Sequence, residues 1–361
     1  MQPGGTVSIS IVVMLWLAGL IPGLVPVVAR AQTAPQVAAM PTMTELHEAA
    51  RREGTVAFGG ALKEDDTAKL VAVFSQRYPG VAVQYTRRST QPMVQLIEAD
   101  RLAGRVSFDL VNITEPGELV RWIKDGFLAS VPMPDSAVML PEAFDANGHF
   151  YALGLTPMLG IYNTDKLKPA EAPRSLKVLL TDRAWIGKVV HTRPTRGGTS
   201  AAALMNVVAA AGHDVIASIK QRRILLTLSN EATIDAVSSG ERPVSWGVSG
   251  YRALEARADG APIGLIVWDE GVPLAQFIAA VPVKAPHPNA ARLLLRWLMS
   301  KEGQELIVKH ARCYSARRDV EATPLGEPKL TQMRINAFSN DKVVAEGQAL
   351  AIEYDKAVGL Q

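Results

Sequence analysis

The chain has 361 residues, 48% of them hydrophobic and 20% charged, and a formal net charge of +3 at pH 7. That length allows one large domain or two ordinary ones, and that composition excludes a disordered chain. Basic and acidic residues are interleaved and no Lys/Arg run occurs, which argues against a nucleic-acid-binding protein.

The first stretch reads as an export signal. Ser8 to Val28 is apolar and uncharged, and Ala29 and Ala31 make an A-x-A cleavage pattern before Gln32. The expected layout is a signal peptide over 1–31 and a flexible Pro/Ala/Thr/Gln-rich linker over 32–43. An uncleaved anchor is the second reading, since about 20 apolar residues suffice to cross a bilayer. No later apolar run approaches that length, so the mature protein is expected to be soluble.

Helices and strands then alternate. MTELHEAARREG predicts a short amphipathic helix ended by Gly54, and TVAFGGA a strand. DDTAKLVAVFSQRYPG predicts a helix with Leu70, Val71 and Phe74 on one face, stopped by Pro79 and Gly80. VAVQYTR is a strand, TQPMVQLIEADRLAG a helix capped by Ser89 or Thr90, FDLVNI a strand and PGELVRWIKDG a helix. This β-α repetition predicts a parallel sheet with helices on both faces.

The same grammar returns after a strand-like stretch, YALGLTPMLGIYNT. KVVHT, ILLTL and PVSWGV read as strands, and GTSAAALMNVVAAAG, DVIASIKQR, NEATIDAVSSGE and GYRALEARADG as helices. A second extended stretch, IGLIVWDEGVPLAQFIAAV, precedes HPNAARLLLRWLMSKEGQELIVKH, whose helices look like a return to the first lobe. Two α/β lobes joined by two crossings make a cleft with a hinge. Open α/β sheets bind ligands at the carboxyl ends of their strands.

Catalytic signals are weak. GVSGY fails the G-x-S-x-G pattern because Tyr251 holds the last glycine position. The six histidines are scattered without metal-ligand spacing, so neither zinc nor another metal is expected. Glu64, Asp65 and Asp66 open a helix, where acids favour the dipole. Cys313 is the single cysteine, so no intrachain disulfide is possible. An enzyme on the bilobal scaffold using Cys313 is kept only as the reading from another class.

Four stretches carry a family resemblance: FSQRYPGVAVQY, GFLASV, YALGLTPMLGIYNTDKLKPAEAP and APHPNAARLLLRWLMSKEGQELI. With these, the chain from Thr44 onward resembles periplasmic solute-binding proteins of ABC transporters, in the group that includes ferric-iron, thiamine and phosphonate binders. The resemblance implies a two-lobe fold of type II-like topology, with lobe 1 over 44–153 and 275–361. Lobe 2 would span 154–274, with hinges near 151–163 and 266–277. It implies a monomeric periplasmic receptor, not an enzyme and without a cofactor, that closes on a small molecule and delivers it to a permease in the inner membrane.

In such a fold the loops after the strands line the cleft. In the first lobe they hold Gly59, Gly60 and Ala61, then Arg88, Ser89 and Thr90, then Asn112 and Thr114. In the second they hold Thr195, Arg196, Gly197, Gly198, Thr199, Ser249 and Tyr251, and the second hinge adds Glu270. TRGGTS is the sharpest of these signals. A glycine turn opening a helix exposes N–H groups at the positive helix end, and an arginine fork matches a carboxylate or phosphonate. A small anionic organic ligand is therefore the favoured expectation, with ferric iron as the alternative. Iron-binding relatives carry paired tyrosines where this chain has Gly250 and Tyr251, which weighs against iron.

Overall fold

The structure is a computed structural model that describes residues 40–360, apart from 197, 337 and 339–341. The expected signal peptide over 1–31, most of the expected linker and Gly197 lie outside the described residues. The linker's expected end is too late. Thr42 already caps α1 (Met43–Glu53) in a reciprocal capping box with Glu45, and Gly54 ends the helix at φ 75°.

The first half alternates β1 (Thr55–Gly60), α2 (Glu64–Arg77), β2 (Ala82–Arg87), α3 (Thr90–Leu102), β3 (Leu110–Ile113) and α4 (Pro116–Lys124). β1 lies parallel between β2 and β3. β4 (Tyr151–Asn163) then crosses into the second half, where α5 (Leu176–Thr181), β5 (Val189–Thr192), α6 (Gly198–Ala211), α7 (Val215–Ser218), β6 (Leu225–Thr227), α8 (Asn230–Ser238), β7 (Val244–Ser249) and α9 (Gly250–Ala258) follow. β5 lies parallel between β6 and β7, so each half carries a parallel triplet with its first strand in the middle.

β8 (Ile263–Ile266) and β9 (Val272–Ala280) complete the crossing, followed by α10 (Pro288–Leu298) and α11 (Lys301–Ala311). The sheet runs β2-β1-β3-β9-β4-β7-β5-β6. β9 pairs antiparallel with β3 of the first half and with the start of β4, whose end pairs with β7 and β8. β4 is buried along its whole length, as a strand covered on both faces must be. The fold is thus the two-lobe α/β architecture with two crossing strands.

Three local expectations change. The extended stretch after Ile263 is two strands, broken by a turn at which Gly271 takes φ 100°. The expected helix over 214–222 divides into the four-residue α7 and a 3-10 turn, Ile219–Arg222. The third change concerns the C-terminus, which was expected to stay with the first lobe throughout. β10 (Ile335–Asn336) instead pairs parallel with β9 at Val272 and Pro273, and α12 (Gln348–Val358) packs on the second half. Fully buried Tyr354 anchors α12 in the cluster of Trp246, Trp268, Leu204 and Ile219. No single described helix is long and apolar enough to cross a membrane; Thr199–Ala211 and Val215–Arg222 reach that measure together, but only across a 105° bend.

Candidate functional site: a cleft at the carboxyl ends of both strand triplets

All six strands of the two parallel triplets end at one cavity of 830 Å³, and residues just after each of them or at their ends line it. On the first-half wall, Arg87 ends β2 and Ser89, Thr90, Gln91 and Gln95 come from the start of α3. Ser89 holds the N-cap position but its hydroxyl makes no capping bond. The Thr90 and Thr114 hydroxyls lie 2.9 Å apart, and the Thr114 N–H donates to Thr90 Oγ1 at 3.2 Å. This pair ties the start of α3 to the loop before α4. Glu115 occupies the N-cap of α4, again without a side-chain capping bond, and Glu118 in its first turn is ion-paired with Arg121.

The second-half wall is built from three helix starts. Thr195 and Arg196 lie in the 3-10 turn after β5, and Thr199 and Ala201 in the first turn of α6. Asn230 opens α8, and its Oδ1 accepts the Ser249 N–H at 3.3 Å, joining the starts of α8 and α9. The Tyr251 N–H donates to Thr156 Oγ1 at 3.1 Å, fixing α9 to the crossing strand β4. Burial pushes the Tyr251 phenol well above its ordinary pKa, so it stays protonated. The Arg252 guanidinium lies 4.9 Å above the Tyr251 ring and is ion-paired with Glu231 and Glu255 at 3.1 and 3.3 Å. The crossing strands contribute Thr156, Ala275, Gln276 and Phe277, and α12 contributes Gln348.

The geometry sorts the sequence candidates. Ala61, Ser89, Thr90, Thr195, Arg196, Thr199, Ser249 and Tyr251 share the cavity wall. Gly59 and Gly60 do not. A Cβ on Gly59 would lie 2.8 Å from the Phe108 ring, and one on Gly60 would lie 3.0 Å from Asn112 Cβ. Their smallness serves packing inside the first half. Asn112 is fully buried and donates to the Ile278 carbonyl at 3.2 Å, joining β3 to β9. Arg88 is exposed and off the wall; Arg87, one residue earlier, is on it.

Glu270 is also displaced from its expected role. Its carboxylate accepts the Ser175 hydroxyl at 2.5 Å and the Leu176 and Lys177 N–H groups at 3.0 and 3.2 Å, capping α5. Burial alone would raise its pKa, but these donors outweigh it and hold the carboxyl below its ordinary value. Gly198 is the first residue of α6. Arg193, two residues before Thr195, is paired with the buried Asp355 at 2.9 Å.

Sequence reasoning missed Arg87, Gln91, Gln95, Glu115, Glu118, Asn230, Arg252, Gln276 and Gln348. Most sit in the first turn of a helix that follows a strand, and that position was the available signal. Nothing local marks Gln348. Among the described residues, no three or more His, Cys, Asp or Glu side chains converge as a metal site. Cys313 lies outside the cleft, fully buried, with burial pushing its thiol up to about 12. Both features disfavour the thiolate that a nucleophile needs.

Residues 59–305 match the model of a family described as bacterial extracellular solute-binding protein. No curated protein matches the chain in sequence. Solved structures share the fold. The substrate-binding protein of an ABC transporter from Agrobacterium tumefaciens superposes with TM-score 0.71 at 18% identity, covering 84% of this chain and 94% of its own. Iron-bound HitA from Pseudomonas aeruginosa gives TM-score 0.71 at 19% identity, covering 85% and 99%. AfuA from Actinobacillus pleuropneumoniae, with exogenous fructose-6-phosphate bound, gives 0.71 at 19% identity, covering 86% and 100%.

Proposed function

The chain belongs to the bacterial extracellular solute-binding protein family, and from that premise we propose an exported periplasmic receptor for a small anionic organic ligand, carboxylate or phosphonate-like, which it captures by lobe closure and hands to an ABC importer. One observation carries the anionic reading. The first turns of α3, α4, α6, α8 and α9 all face the same cavity. Each helix N-terminus favours an anion by roughly 0.3–1 kcal/mol, and more in a partly buried setting.

The side chains support the same sign. Three arginines line the cleft, Arg87, Arg196 and Arg252, against two carboxylates, Glu115 and Glu118. Arg252 and Glu118 are already engaged with neighbours. Arg87 and Arg196 make no ion pair among the described residues, so their forks are available to a ligand. The ligand would bridge the walls, with Arg196 and the α6 start on one side and Ser89, Thr90 and Arg87 on the other. Contacts to both lobes stabilise the closed state by differential affinity.

Ferric iron is the second reading, supported by Tyr251 on one wall of the cavity and Glu115 and Glu118 on the other. It is weaker because a single tyrosine is present and burial keeps its phenol protonated. The test is a thermal-shift screen of the chain from Gln32 against organic acids, phosphonates, phosphate esters, polyamines, thiamine and ferric salts. A ligand at ~100 times its Kd adds about 2.7 kcal/mol, which the melting temperature reports. A shift from an organic anion is expected. A shift only from cations or neutral solutes overturns the reading, and a visible tyrosinate-to-iron band with ferric salts moves it to iron.

A further inference from the structure

α12 arrives at the cleft from the far end of the chain. Its first residue, Gln348, lines the cavity, and two turns later, about 10 Å along the axis, Asp355 is buried beneath the turn that follows β5. Asp355 Oδ2 accepts the Arg193 Nε at 2.9 Å and the Thr195 hydroxyl at 2.8 Å, and the second Arg193 nitrogen lies 2.9 Å from the same oxygen. Thr195 lines the cavity itself and Arg196 follows it directly. Fully buried Tyr354 fixes the register of α12 beside this contact.

A 3-10 turn of three residues, Pro194–Arg196, has few hydrogen bonds of its own to define its shape. The Arg196 N–H reaches the Arg193 carbonyl at 3.0 Å, and the Arg193 N–H reaches the Thr227 carbonyl at 2.9 Å. Among the described residues, the side-chain restraint on the turn comes from Asp355, 160 residues from Thr195. We propose that Asp355 is a positioning residue of the ligand site: through Arg193 and Thr195 it holds the turn that presents Arg196 and the start of α6 to the cleft. α12 is then part of the recognition apparatus and not only a cover for the second lobe. The inference rests on the reading of Arg196 as an anion contact, but the geometry it asserts concerns the ligand-free turn.

The test separates these. Amide hydrogen exchange of the ligand-free protein is compared between the natural chain, Asp355→Asn and the double variant Arg193→Gln with Thr195→Val. Asp355→Asn keeps the side-chain volume and removes the charge. At least tenfold faster exchange is expected in both variants at Arg196, whose N–H is bonded to the Arg193 carbonyl within the turn, with β7 and α8 unchanged. Unchanged exchange at the turn overturns the proposal. Uniform acceleration across the second lobe also overturns it, since that marks a purely structural ion pair. Titration with glycerol 3-phosphate and inorganic phosphate follows. A loss of at least tenfold in affinity is expected in both variants, and wild-type affinity in a variant whose turn has loosened overturns the link to binding. If the natural chain binds neither probe nor any other anion, the anionic reading fails while exchange still decides the role of Asp355.

Discussion

β1 and β5 hold the same place in their lobes, each the central strand of a parallel triplet, yet the turns that leave them are used differently. β1 ends in Gly59 and Gly60 and is followed by Ala61, and the two glycines are pressed against Phe108, Met93 and Asn112. After β5 come Thr195, Arg196 and Thr199, whose side chains face the cavity while Asp355 holds the turn from behind. A glycine-bearing turn after a strand is therefore not by itself a sign of ligand contact. In one lobe the chain omits side chains so that its own core can close, and in the other it spends polar side chains on the cleft.

The largest expected effect tests the first turn. Gly59→Val places methyl groups where the Phe108 ring and Met93 Cε already sit. Overpacking of that kind costs about 1–3 kcal/mol, read as a lowered urea midpoint with an unchanged slope. A loss below about 0.5 kcal/mol would mean the glycine is free for another purpose, and the contrast between the turns would collapse.

The second effect lies behind the other turn. His191, on β5, is fully buried 4.3 Å from the Trp246 ring, and burial pulls its pKa down to about 3. The folded state keeps it neutral while the unfolded chain binds a proton below about 6.5. Its contribution therefore weakens stability as pH falls from about 6.5 towards 3, by up to about 1.4 kcal/mol per pH unit, or about 2 kcal/mol at pH 5. His191→Phe should flatten that part of the stability profile. A variant with the same slope as the natural chain would show that His191 is protonated in the fold.

These two sites also show what the sequence reveals and what it hides. The β-α alternation was legible because hydrophobic runs and helix stops are local, and the strands and most helices fall where periodicity puts them. Which side chain faces the cleft was not. At the end of β2 an error of one residue exchanges Arg87 for Arg88, because successive strand side chains face opposite ways. Glu270 and Asn112 looked like cleft residues because Asn112 stands near the carboxyl end of β3 and Glu270 in the turn before β9. Their partners, Ser175 and Ile278, are set by pairings 95 and 166 residues apart, which no local pattern records. The placement of α12 on the second lobe is hidden for the same reason.

The third effect tests the second turn directly. Arg196 is exposed and makes no ion pair among the described residues, so Arg196→Ala should leave stability within about 0.5 kcal/mol. It should weaken the ligand found by the melting screen at least tenfold, the scale of one lost charge-assisted hydrogen bond of about 1.5 kcal/mol or more. Titration calorimetry on that ligand measures it. Unchanged affinity would leave both turns structural.

The smallest effect concerns what the first turn does contribute across the cleft. Lys63, three residues past Gly60 and at the N-cap of α2, is ion-paired with Glu255 on α9 of the other half. Glu255 also accepts Arg252, which lines the cavity, and lies 3.9 Å from Arg312 of the first half. Burial would raise the Glu255 pKa, but Lys63 and Arg252 outweigh it and hold the carboxyl below its ordinary value. With the lysine 38% exposed, the pair is expected to be worth no more than about 1 kcal/mol. Lys63→Met should lower stability by that amount or less at low salt, and the difference from the natural chain should shrink towards 1 M salt, where the Debye length falls to about 3 Å. A salt-independent loss would mean that the lysine stem packs and its charge is idle. A screened loss would show that the β1 turn, whose glycines serve packing and which puts only Ala61 on the cavity wall, reaches the other lobe through Lys63.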